Sequence, residues 1–225
     1  MEFPPPASLS CTIAAEIRPW APPPAVATGA DSIPAASQAE GPAEQASDYR
    51  HQLKPTPAGW PIRSHWCVWV EPVRDGGATG IWEQRWHQAV MDALATWQRH
   101  LAITLVEQPE RAQVLVERRR PPRLNNRASH GRAVLQLLEV QRQQTWQLEP
   151  RVTVLISPGQ AQPAIQATAL HELGHAFGLW GHSDQAGDAM AAKPGSIPIL
   201  ELSERDQRTL RWLQQQPGLS PSTTP

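Results

Sequence analysis

His171-Glu172-Leu173-Gly174-His175-Ala176-Phe177-Gly178-Leu179-Trp180-Gly181-His182 decides how the rest of this chain is read. Two histidines four residues apart on a helix share one face, one turn apart. Imidazoles so placed can bind a single Zn²⁺. Glu172 adjoins the first of them, close enough to act on a metal-bound water without being a ligand. Gly178 suits a positive φ that ends the helix and turns the chain back. His182 then arrives as the expected third ligand, with Asp184 and Asp188 as the alternatives. Three protein ligands leave a fourth position for water, which separates a catalytic zinc from a closed structural one.

The context fits a helix. Ile165, Ala169, Leu173, Ala176 and Phe177 recur at helical spacing and give it an apolar side, while the histidines face a cleft. The helix is expected over about 164–178. The competing view of these histidines, as ordinary residues of an amphipathic helix, does not explain Glu172, Gly178 and His182 together.

Downstream, His182-Ser183-Asp184 leads to Asp188-Ala189-Met190. With a methionine eight residues after the last histidine, the segment resembles the metzincin metallopeptidases. It is most similar to the matrixin branch and its bacterial, notably cyanobacterial, zinc-protease relatives. The resemblance implies one catalytic Zn²⁺ on His171, His175 and His182, Glu172 as general base, and Met190 as the hydrophobic turn beneath the metal. It implies a zinc metalloendopeptidase whose substrate is a protein or peptide bound in extended form. It also implies an α+β fold: a mixed five-stranded sheet with two long helices, the zinc site in a cleft, and a small C-terminal subdomain holding the Met-turn and a final helix. The spacing departs from the family by one residue, since Leu179, Trp180 and Gly181 separate Gly178 from His182; Gly181 is expected to absorb it. Some relatives add a tyrosine after the Met-turn, but the only tyrosine here is Tyr49, far upstream.

Working outward, Trp66-Cys67-Val68-Trp69-Val70 reads as a first strand. Asp75 to Gly80 reads as a loop. Trp82, Trp86, Ala89, Val90, Ala93, Leu94, Trp97 and Leu101 recur every three or four residues and predict a helix over about 81–100 with a tryptophan core stripe. His87 and His100 lie at different azimuths and read as non-ligands. Short strands are expected at Ile103–Val106, Val114–Val116, Ala133–Leu137 and Val152–Ile156. The Ala133–Leu137 strand is the expected sheet edge beside the cleft. Ser203, with Asp206 three residues on, predicts a capped final helix, which Pro217-Gly218 ends. The catalytic domain is expected over 57–216. Residues 217–225 read as a disordered tail, and 1–56 as a disordered linker or pro-segment, because eleven of the 24 prolines fall in the first 57 positions and such composition buries little apolar surface.

The 225 residues carry a net charge of −1 with pI near 6.7, so no bulk attraction to nucleic acid is expected. No run is long enough for a membrane span, and the first residues lack the pattern of a standard signal peptide. An extracytoplasmic location is suggested only by the resemblance. A monomer is expected. Arg118, Arg119, Arg120, Arg123, Arg127 and Arg132 read as a solvated loop, or else as a site that steers acidic substrates. Cys11 and Cys67 leave the redox compartment open. Cys67 has no neighbour at ligand spacing, and the surroundings of Cys11 do not match the family's inhibitory pro-segment motif. Metal-dependent deformylases share HExxH but take an upstream cysteine as third ligand, and none suits here. The alternative function is a non-catalytic zinc-binding or protein-interaction module on the same scaffold.

Overall fold

The computed structural model describes residues 11–22, 47–74, 80–123, 129–142 and 144–220. The Asp75–Thr79 part of the expected loop, Arg127, and the remainder of the two expected disordered segments lie outside these residues.

The fold is α+β. Six strands form one mixed sheet: β1 (Glu16–Pro19), β2 (Trp66–Val70), β3 (Ile103–Leu105), β4 (Val114–Glu117), β5 (Gly131–Arg142) and β6 (Thr145–Ile156), in the spatial order β1-β5-β6-β4-β2-β3. The strands β3, β2, β4 and β6 run parallel; β5 is antiparallel to β6 and to β1. Among the described residues three α-helices complete it: α1 (Gly80–Gln98), α2 (Gln162–Ala176) and α3 (Glu204–Leu213). Among the described residues no helix is long and apolar enough to cross a membrane.

Alternation along the strands sends Trp66, Val68, Val114, Val116, Val152 and Val154 to the face on which α1 and α2 pack, and all six are buried. From α1 come Trp86, Ala89, Val90, Ala93, Leu94 and Trp97, all fully buried. The indole nitrogens find carbonyls: Trp86 donates to Ile156 at 3.2 Å and Trp97 to Leu170 at 3.0 Å, which removes the cost of burying an unpaired donor. Trp82 departs from the expected stripe. It lies half exposed beside Arg85, whose guanidinium is 4.5 Å from its ring.

The β5–β6 hairpin is much longer than the expected short strands. Pro150 is tolerated inside β6 because its nitrogen points towards the β4 side, where pairing begins only at Val152.

Within the segment expected to be disordered, residues 11–22 and 47–56 take defined places. Cys11 forms a disulfide with Cys67 of β2. From there the chain crosses the sheet, on the face away from the helices, to pair as β1 with β5. Arg142 donates to the Thr12 carbonyl on the way and holds the buried Glu149, which also pairs with Arg63. Asp48, Tyr49 and Leu53 are buried as well. The tail is also anchored at its start, where the Ser220 N–H donates to Ala58.

The basic segment is only partly solvated. The Arg118 side chain is buried between Glu71 (3.2 Å) and Glu83 (3.1 Å), and Arg119 pairs with Glu117.

Closing a loop of 56 residues restricts the unfolded chain and is worth at most about 4 kcal/mol. Reduction with a dithiol is therefore expected to lower the melting temperature by several degrees. An unchanged melting curve, with free thiols shown by alkylation, would mean that the strap contributes no stability.

Candidate metal centre

Helix α2 carries His171, Glu172 and His175 and stops at Ala176. Phe177 and Gly178 donate back to Leu173 and His175, and Gly178 takes φ +108°, as expected. A side chain there would also press on Ile62.

Between Gly178 and His182 the chain makes two tight turns. Trp180 N–H donates to Gly178 and Gly181 N–H to Leu179. Gly181, which closes the second turn, also passes close to another segment: a Cβ there would sit 2.8 Å from the backbone carbon of Gln52. The turn is clamped by Lys54 N–H, which donates to Trp180. Trp180 in turn stacks on His175, with centroids 5.5 Å apart and planes 21° apart.

These constraints bring three imidazoles together. Ligand atoms of His171, His175 and His182 lie within 4.8 Å of one another, and the Nε2 atoms of His175 and His182 are 3.2 Å apart. Two of the three rings have their other nitrogen committed. His171 Nδ1 lies 2.8 Å from the Ala189 carbonyl and His175 Nδ1 lies 2.7 Å from that of Leu179. A carbonyl only accepts, so each Nδ1 carries the proton and each Nε2 keeps its lone pair free. This arrangement orients an imidazole towards a cation. Burial holds all three histidines below the usual imidazole pKa, His175 at about 3. They stay neutral, as ligation requires.

Glu172 is buried beside them. Burial pushes its carboxyl up to about 7, partly offset by the Ala133 N–H that donates to it and by the Arg132 charge. The start of β5 passes directly over it. A Cβ on Gly131 would meet Thr168 Cγ2 at 2.5 Å and Glu172 Oε1 at 2.7 Å, so only glycine permits this approach.

Met190 is fully buried against α2, where Gly174 leaves room for its sulfur. Ser183 N–H donates to Met190, and Ala192 N–H returns to Ser183. The alternative ligands do not reach the cluster. Asp184 and Asp188 each pair with Arg205 at 2.9 Å, and Asp188 also accepts from Ser203 at 2.6 Å.

Sequence reasoning missed Asp206 as more than a cap. It closes the capping box with Ser203. It also accepts from Ala189 N–H (2.8 Å), Met190 N–H (3.4 Å) and Tyr49 O–H (2.7 Å) while fully buried. The one tyrosine thus stands under the Met190 turn, away from the histidines. Nothing local in the sequence couples Tyr49 to Asp206.

A second group, Cys11, His65 and Cys67, also gathers within 4.8 Å. Both sulfurs are spent in the disulfide, and His65 contacts Thr104 Oγ1 at 2.9 Å.

Two outcomes follow. Asp206→Ala leaves two turn amides and one phenol without an acceptor in the interior and is expected to cost about 3–5 kcal/mol in urea unfolding; a cost under about 1 kcal/mol contradicts the role given to Asp206. For the metal-free chain, the depressed His175 pKa means that the unfolded state binds protons first as pH falls below 6.5. Folded stability then drops with pH, by about 2 kcal/mol between pH 6.5 and 5 from His175 alone. Glu172, raised to about 7, contributes with the opposite sign over the same range, so the His175 part is read from a difference: in thermal melts His175→Gln should lose less stability than the parent chain, or gain more, as pH falls from 6.5 to 5.

No protein-family model matches this chain, and no curated protein matches it in sequence.

Proposed function

We propose that this chain is a zinc-dependent metalloendopeptidase. The observation that carries the reading is the convergence of three neutral imidazoles, two with Nδ1 tied to backbone carbonyls, next to a buried carboxyl near pH 7.

The residues fit a zinc ion. Three nitrogen donors from His171, His175 and His182 match a site that keeps a fourth position for solvent. Bound there, zinc supplies a Lewis acid and an acidified water. The rest belongs to the protein. Glu172 is poised to take a proton from that water and to return it to the leaving nitrogen, because a group with pKa near 7 does both at neutral pH. The Ala133 N–H fixes the carboxyl. Gly131 allows β5 to run beside it, so a peptide added to the part of the β5 edge that is uncovered among the described residues would lie alongside the base. The finer features of the metzincin resemblance support the same reading. Without β1, the sheet has four parallel strands and one antiparallel edge strand, and Met190 packs beneath the ligand helix.

The alternative, a non-catalytic zinc module, leaves the buried Glu172 without a purpose. A pool of unstructured peptides separates the two. With one zinc bound per chain, the protein is expected to cleave the pool. Glu172→Gln should keep the zinc and lose at least about 100-fold in turnover. Zinc binding without cleavage by either protein would favour the module, and an undiminished Glu172→Gln would overturn the assigned base.

A further inference from the structure

We propose that β1 sets the length of peptide the cleft takes, limiting an extended substrate to about four residues on the N-terminal side of the cut bond. This rests on the endopeptidase reading.

In an antiparallel pair, every second residue turns both backbone groups to the same side. Trp20 N–H donates to the Leu137 carbonyl, so Leu137 faces away from β6. By alternation Gly131, Ala133 and Leu135 do the same, as do Glu139 and Gln141. β1 occupies the far part of this edge, pairing with Leu138–Gln141. The near part stays open among the described residues. It begins at Gly131 and Ala133 against Glu172 and ends where Trp20 reaches Leu137. From Ala133 to Leu137 is about 13 Å, room for about four extended residues.

The sequence explains why β1 stops there. Continued past Trp20, the register that sets Pro19 opposite Leu138 would need Pro22 for the next rung, at Leu135. Proline has no N–H to give to that carbonyl. β1 itself is firmly held. Cys11 is bonded to Cys67, Arg142 binds Thr12, and Arg18 lies 4.3 Å over the Trp146 ring while pairing with Glu16. A peptide is therefore not expected to displace it.

Polarity follows from the edge. It already holds an antiparallel strand, the stronger pairing. A peptide in line with β1 and of the same polarity points its N-terminal end at Trp20. The limit thus falls on residues before the cut bond, and those after it run past Gly131, away from β1.

The test uses the full zinc-loaded chain and peptides of one cleavable sequence, extended to two, four, six or eight residues before the cut bond. We expect kcat/KM to rise up to four residues and then stay within about twofold. Trp20→Pro, outside β1, removes the last rung, and Arg18→Pro breaks the strand. Each should raise the six- and eight-residue peptides by about fivefold or more over the four-residue one. If Arg18→Pro does not fold, Trp20→Pro alone carries the test. A steady rise to eight residues with the unaltered chain, or a limit on the C-terminal side instead, overturns the proposal. A zinc-loaded chain that cleaves no peptide removes the endopeptidase reading and this inference with it.

Discussion

Two carbonyls decide what the histidines of α2 can do. Ala189 accepts the Nδ1 proton of His171, and Leu179 accepts that of His175. Move the proton of either ring from Nδ1 to Nε2 and the cluster presents an N–H where it now presents a lone pair. Each carbonyl is itself held from a distance. Leu179 is set by the Gly178 turn and by its own N–H to Gly174. Ala189 is set by Asp206, which binds its N–H from the first turn of α3. The stretch that looks like a self-sufficient motif is therefore oriented by residues up to thirty-five positions away.

Asp206 extends that dependence into the N-terminal part. Its carboxylate receives Tyr49 O–H, and Arg205 beside it reaches the carbonyl of Asp48. Gln52 and Lys54 pack against the turn that leads to His182. Residues 48–54 thus brace α3 and the turn before His182, while Cys11 to Pro19 hold to the sheet.

Much of the fold was legible from period and punctuation. The strand Trp66–Val70, the helix with its Trp86 and Trp97 face, the ligand helix and the Ser203 cap follow from alternation, 3.6-residue spacing and capping. The histidine cluster was legible because helical spacing alone brings His171 and His175 together, and Gly178 bends the chain towards His182. What composition concealed was long-range. Glu16–Pro19 has no hydrophobic pattern, and all four residues are exposed; it is a strand because β5 offers an edge and Cys11 finds Cys67. Tyr49 and Leu53 sit in a stretch whose prolines signal disorder, yet each fills a place built by residues more than a hundred positions later. Hairpin length was hidden likewise, because the outer half of β5 and β6 mixes charge with apolar residues, and Arg142 and Glu149 pair only across the turn.

X-ray absorption at the zinc edge of the loaded full chain tests the account most directly. Three imidazole nitrogens and one oxygen at about 2.0–2.1 Å are predicted for the zinc. A sulfur at about 2.3 Å, or four protein ligands with no exchangeable oxygen, would contradict it.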